Sequence, residues 1–179
     1  MTRMMTIVEA DLCDPRVVDL LRTHLMIARA ISPPSSVHAL DLAGLQSPEI
    51  SAWTIWENDV LLGAGALKRL SAEHGEVKSM HTAETARRRG VGTALLRHII
   101  ASARRCGMVR LSLETGSQDY FEAARSLYRR HGFVDCPPFA DYTFDPNSVF
   151  MSLELQHDDS DAGSAGASPK ADRAQEGSG

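Results

Sequence analysis

Seven consecutive residues, Arg87-Arg88-Arg89-Gly90-Val91-Gly92-Thr93, carry the most specific chemistry in this chain. Glycines two positions apart let a main chain turn tightly and approach a ligand with no Cβ in the way. A helical pattern follows at once. The free N–H groups of its first turn, and the positive end of its dipole, would face whatever the turn encloses. The three arginines add permanent positive charge on forked donors suited to phosphate oxygens. The chemistry implied is capture of a pyrophosphate, and hence a phosphorylated cofactor held between a strand and a helix.

Other phosphate-binding patterns do not fit. No Gly-Lys-Ser/Thr follows the turn, as a nucleotide-hydrolysing loop requires, and the first glycine of G-x-G-x-x-G is missing. A solvated charge run before a helix is the plain alternative for an arginine triplet, but it leaves the paired glycines unexplained.

The elements that must position this turn are readable from periodicity. Thr6 to Ala10 can form a first strand, and Asp14-Pro15 has the look of a helix start, with Asp as N-cap and Pro in the first turn. Val17, Leu20, Leu21, Leu25 and Ala28 follow at helical spacing until Ser32-Pro33-Pro34-Ser35-Ser36. Ser36 is placed to cap a short second helix through Leu45. Ser51 to Trp56 and Val60 to Leu70 read as strands joined by the polar Glu57-Asn58-Asp59. Gly75 to Thr82 reads as another, whose simple alternation would send Glu76, Lys78, Met80 and Thr82 to one face and Val77, Ser79 and His81 to the other. A helix from Val91 to Arg105 would bury Val91, Leu95, Ile99 and Ala103 and stop at Gly107. Val109, Leu111 and Leu113 alternate as a strand, Phe121 to Arg130 forms a helix ended by Gly132, and Phe133-Val134 and Val149 to Leu155 supply the last strands. The order β-α-α-β-β-β-α-β-α-β-β predicts an α+β domain on one mixed sheet.

Bulk composition narrows the setting. The chain has 179 residues, enough for one domain with a real core, and its 43% hydrophobic and 23% charged residues are ordinary for a globular protein. No apolar run is long enough to cross a bilayer, and Met1 to Glu9 lacks a secretory pattern. Cys13, Cys106 and Cys136 are odd in number and show no C-x-x-C spacing, which points to a reduced, cytoplasmic protein. Residues 157–179 hold no aromatic residue and no aliphatic larger than Ala, so that stretch is expected to be a disordered acidic tail beyond a domain spanning 1–156. The tail carries five acidic against two basic residues of a total net charge of −4, leaving the body nearly neutral. That balance argues against nucleic acid as a partner.

Two motifs together identify a family. Arg87-Arg88-Arg89-Gly90-Val91-Gly92, between the fourth strand and the third helix, resembles the Gln/Arg-x-x-Gly-x-Gly/Ala hallmark of the GCN5-related N-acetyltransferase (GNAT) superfamily. Downstream, Ala124-Arg125-Ser126-Leu127-Tyr128-Arg129-Arg130-His131-Gly132-Phe133 is similar to its A-x-x-L-Y-x-x-x-G-F segment. The resemblance covers residues 6–155 and implies a GNAT fold, a mixed, mostly antiparallel sheet flanked by helices. It implies acetyl-CoA as cosubstrate, with the pyrophosphate on the amides of Arg88 to Thr93 and the side chains of Arg87, Arg88 and Arg89 near the phosphates. Gly90, Val91, Gly92 and Thr93 would form the turn. The pantetheine arm would pair with main-chain groups of Met80 and Thr82, where the fourth and fifth strands splay apart.

Acetyl transfer from a thioester to an amine needs a neutral amine, a donor for the developing oxyanion and a proton for the departing thiolate. The resemblance implies direct attack in a ternary complex. It assigns the acid to Tyr128, which can equally be a core tyrosine, since Phe121, Ala124 and Tyr128 share a helix face. It assigns the base to Glu76, whose plain alternative is an exposed strand glutamate paired with Lys78; a water chain can also serve. The N–H of Met80 is implied as partner of the thioester oxygen. Phe121 stands where many members carry Asn.

The acceptor is expected to be a small-molecule amine, with a protein amino group as the alternative. Ser32 to Leu45, with Ser35, His38 and Asp41, and Pro137 to Asn147, with Asp141, Tyr142 and Asp145, are the segments expected to recognise it. Turn chemistry explains Asp145-Pro146-Asn147 as well as acceptor attraction does. The seven histidines show no metal-ligand spacing, so no metal is expected. The cysteines read as buried small hydrophobes, Cys136 being the one near the cleft. Trp53 and Trp56 should lie on opposite faces of one strand, one inward and one outward, and a homodimer through that Trp or the last strand is conceivable. A catalytically weak acyl-CoA-binding module is the rival from another class.

Overall fold

The computed structural model describes residues 4–156, so the expected tail at 157–179 lies outside the described residues. The elements are β1 (Met5–Glu9), α1 (Pro15–Ile31), α2 (Leu42–Leu45), β2 (Ile50–Glu57), β3 (Val60–Arg69), β4 (His74–Thr82), α3 (Val91–Arg105), β5 (Arg110–Gly116), α4 (Glu122–Arg130), β6 (Val134–Asp135) and β7 (Ser148–Glu154). Single 3-10 turns occur at Pro34–Ser36, Glu84–Ala86 and Asp119–Phe121.

The strands form one sheet in the order β1-β2-β3-β4-β5-β7-β6. Every neighbouring pair is antiparallel except β4 and β5. The α3 connection between those two strands has the length a parallel crossover needs. On one face, α3 and α4 cover a core of Leu96, Ile99, Leu111, Leu113, Tyr128 and Phe133. On the other, α1 and α2 set Val17, Leu21 and Leu45 against Ala64 and Ala66 of β3. The small residues of β3 let both layers approach closely. A Cβ at Gly65 would sit 2.7 Å from the Met80 sulfur and 3.1 Å from Ile99.

Helix boundaries follow capping chemistry. The Asp14 carboxylate accepts from the Arg16 N–H with Pro15 in the first turn, as the sequence suggested. Ser36 does not cap the second helix, because it closes the 3-10 turn that begins at Pro34. Asp41 takes that role by accepting from the Gly44 N–H, which shortens α2 to four residues.

Other surface expectations also change. Neither tryptophan stands free: Trp53 meets the His98 ring edge-on at 5.0 Å, and the Arg16 guanidinium lies 4.5 Å over Trp56. The last strand, β7, lies between β5 and the two-residue β6, which pairs only with its Ser152 and Met151. Cys13 and Cys106 are exposed rather than buried, whereas burial pushes the Cys136 thiol up from its ordinary value.

Candidate active site

The parallel pairing of β4 and β5 is short, running only from His74–Arg110 to Glu76–Ser112. Beyond Glu76 the two strands part. A narrow cleft opens between them, lined by Ser79 and Met80 of β4, Glu114 of β5, and Tyr128 of α4. A strand that loses its neighbour leaves backbone donors and acceptors open on that edge, which suits an extended ligand running as an added strand.

A bulge in β4 sets the side chains around the cleft. Ala66 pairs with Lys78 and Ala64 with His81, so β4 carries an extra residue, and Ser79 takes a left-handed φ of 52°. The bulge reverses the alternation expected from sequence. Glu76 and Lys78 face the α1 layer, but Met80 packs with Ile99 and Leu95 on the α3 layer. Thr82 lies on the α3 side too, near Gly92. His81 is the residue that joins the Glu76 face, where its ring lies 5.2 Å from that of His24 on α1. The expectation that Glu76, Met80 and Thr82 share a face is therefore corrected; a single inserted residue inverts everything after it.

Beyond the end of β4, the glycine turn has the tight backbone its sequence suggested. Arg88 and Gly90 adopt left-handed φ values of 61° and 81°. Gly90 is the N-cap of the 15-residue α3, and no side chain caps that helix. A Cβ on Gly90 would meet nothing within 4 Å, so the space above the turn is open. Val91 is buried in the core and contributes only its backbone there, while Thr93 lies within the first turn of α3. Gly92 does a second job, since a Cβ there would come within 3.0 Å of Leu127 on α4. The three arginines differ. Arg89 is ion-paired to both oxygens of Glu57 at 2.7 and 2.8 Å, Arg87 donates to the Tyr120 hydroxyl at 3.3 Å, and Arg88 is exposed.

On the α1 face, beside the cleft and sharing Ser36, His38 and Lys78 with it, lies a cavity of about 530 Å³. Its floor is Lys68, Glu76 and Lys78, and its walls come from Ser35 to His38 and from the loop 140–147. The two segments expected to recognise an acceptor thus meet at one cavity. Glu76 is 2% exposed and Lys78 is buried beside it. Glu76 Oε1 accepts from Lys78 Nζ at 2.8 Å and from the Tyr142 hydroxyl at 2.5 Å, and Lys78 also donates to the Tyr142 oxygen at 2.9 Å. Burial, reinforced by the Glu76 carboxylate, holds the Tyr142 hydroxyl protonated far above the ordinary range. Asp145 accepts from the Asn147 N–H at 2.8 Å as a turn residue, as its sequence context suggested.

Tyr128 is buried, and that burial, with the Glu114 carboxylate close by, raises its hydroxyl well above the ordinary tyrosine value. Burial also raises the Glu114 carboxyl. Phe121, in the place of an expected Asn, packs its ring onto Gly116. His24 and His81 are pushed down by burial, His24 to about 4.

Comparison with known proteins bears on this arrangement. The model of the acetyltransferase (GNAT) family matches residues 18–133. The uncharacterized N-acetyltransferase YsnE of Bacillus subtilis (strain 168) is 52% identical over 145 residues, 81% of this chain and 96% of that protein. This chain belongs to the GNAT acetyltransferase family. The uncharacterized N-acetyltransferase YedL of Escherichia coli (strain K12) is 49% identical over 152 residues, 85% of this chain and 96% of that one. Among solved structures, a GNAT family acetyltransferase from Elizabethkingia anophelis with acetyl-CoA bound shares the fold. Its TM-score is 0.62 at 20% identity, covering 84% of this chain and 98% of the other. The chain is an acetyltransferase, and its seven-stranded sheet is the GNAT sheet. Among the described residues no helix is long and apolar enough to cross a membrane.

Sequence reasoning passed over Glu114 and Arg125 as site residues. Glu114 was visible only as the polar position in an alternating strand, and its place beside Tyr128 depends on how α4 packs. Arg125, 7% exposed, donates to the carbonyls of Gly116 and Gln118 and pins α4 to the end of β5. A charged residue at that helix position gives no sequence signal of burial.

Proposed function

We propose that this GNAT acetyltransferase takes acetyl-CoA as donor and acetylates the amino group of a small molecule by direct attack in a ternary complex. One observation carries the reading: the cleft where β4 and β5 part and the cavity beneath Tyr142 lie side by side, sharing Ser36, His38 and Lys78, while α3 starts uncapped beyond the end of β4. The residues present fit the donor. Ser79 Oγ is buried on the cleft wall with no hydrogen-bond partner among the described residues, a vacancy that a polar pantetheine group would satisfy.

Acetyl-CoA supplies an activated thioester; the chain supplies position and proton transfer. The amides of Arg88 to Thr93 and the α3 dipole would hold the pyrophosphate, with Arg88 and Arg87 near it and Arg89 bracing the turn against Glu57. Met80 and Thr82 would meet the pantetheine arm through their backbone. Tyr128, kept protonated and lining the cleft, is suited to give a proton to the leaving thiolate. Glu76 Oε1 is occupied by Lys78 and Tyr142, so we assign Glu76 to holding those two groups in place. Glu114 stands in the cleft beside Tyr128 with its carboxyl raised, which suits a group that must accept the amine's proton near neutral pH. The cavity, about 530 Å³, has the volume of a small-molecule site, which favours a small acceptor.

The test is calorimetric titration of acetyl-CoA into wild type and Gly90→Trp, followed by release of free CoA with a panel of amines. Binding on the order of micromolar in wild type, lost in a variant whose circular dichroism is unchanged, supports the donor site. A wild type that does not bind acetyl-CoA overturns it.

A further inference from the structure

Resting on the acetyltransferase reading, we propose that the acceptor carries a carboxylate beside its amine, and that Lys68 on the cavity floor binds it. The charges around the cavity leave this cation uncompensated. Lys78 is neutralised by Glu76 in a buried ion pair. Asp145 is engaged by the Ser36 hydroxyl and the Asn147 amide, which hold its carboxyl below the usual range. Asp141 stands exposed at the rim. Lys68 is half-buried, lines the cavity, and makes no ion pair or hydrogen bond with any other described residue. The ammonium of a half-buried lysine lining an organic-sized cavity gains most from an anionic group of the ligand, through a charge-assisted bond. With a single free lysine or arginine among the described residues lining the cavity, the match is a carboxylate rather than a phosphate dianion.

Its place in the sheet gives the spacing. Lys68 is the register partner of Glu76, three residues along β4 from Ser79 at the cleft. At the rise of a strand that is roughly 10 Å, part of which the flexible lysine stem closes. The favoured acceptor therefore has its amine and carboxylate several bonds apart, on a body that spans the cavity. Phe144, 83% exposed and lining the same cavity, offers an apolar surface to such a body.

The experiment titrates γ-aminobutyrate, ε-aminocaproate and 4-(aminomethyl)benzoate, each beside its primary amide, into protein saturated with CoA. Wild type, Lys68→Met and Lys68→Glu are compared. At least one acid should bind about tenfold tighter than its amide. The preference should vanish in Lys68→Met and reverse in Lys68→Glu. Equal binding of acids and amides, a preference that survives Lys68→Met, or no binding of any acid overturns the proposal. The donor reading fails separately: it is read by acetyl-CoA binding without acceptor, and Lys68 lies outside the donor site. If acetyl-CoA does not bind, titration of the acids into the free protein still decides the role of Lys68.

Discussion

Replacing Glu76 by Gln removes one charge from a buried ion pair and leaves its volume and its bond from Tyr142 intact. The side chains of Lys78 and Glu76 are 8% and 3% exposed, so solvent cannot screen the ammonium left behind. Breaking such a pair from one side costs about 3–5 kcal/mol, since the remaining charge stays desolvated. Lys78 keeps the Tyr142 oxygen as a partner at 2.9 Å, which favours the low end. A loss of about 3 kcal/mol lowers the Tm of a domain this size by roughly 6–12 °C. Lys78→Met should cost a similar amount, leaving a buried carboxylate with only the Tyr142 hydroxyl. The double variant Glu76→Gln/Lys78→Met removes both charges and should return to within about 1 kcal/mol of wild type. Urea unfolding followed by circular dichroism, with linear extrapolation, gives the double-mutant cycle. The exposed pair Arg110–Glu154 serves as control and should show a coupling below about 1 kcal/mol. Single variants that each lose under about 1 kcal/mol, or a double variant as unstable as their sum, would refute the buried-pair argument.

Three more outcomes are expected. Tyr128→Phe keeps the packing against Phe133 and removes the cleft hydroxyl, so kcat should fall about 10²-fold with acetyl-CoA affinity little changed; a loss confined to affinity would place Tyr128 among the packing residues. Glu114→Gln should abolish the acid limb of the kcat/KM profile, which in wild type falls as pH drops through an apparent value above the usual carboxylate range; survival of that limb would remove Glu114 as the base. His24 is neutral in the folded protein down to about 4 but titrates at 6.5 when unfolded, so the unfolded state binds the extra proton between those values and stability is lost as pH drops across that window. In the middle of that window the two states differ by nearly one proton, a slope of up to about 1.4 kcal/mol per pH unit, and His24→Phe should flatten the acid limb of unfolding by that amount.

Much of this molecule is written locally. The Val91–Arg105 helix, the N-cap at Asp14, the left-handed stops at Gly107 and Gly132, and the glycine turn before α3 all follow from side-chain periodicity and backbone conformational preference. Such signals act over a few residues, so the sequence by itself determines them, and with them the order of elements and the family. The α2 cap was misread because Ser36 and Asp41 are both competent N-caps, and the Pro33-Pro34 turn decides between them.

What the tertiary structure alone decides is which groups meet. The bulge at Ser79 arises from how β4 registers against β3, and it places His81, rather than Met80 or Thr82, on the face of Glu76. The partner of Glu76, Tyr142, is 66 residues away along the chain, and that of Arg89, Glu57, is 32 away. The cleft exists because β4 and β5 pair over three residues and then diverge around the packing of α3 and α4. Periodicity reports which face a residue prefers. It is silent on charge pairing across the sheet, because those energies depend on distances and burial that only the packed layers create.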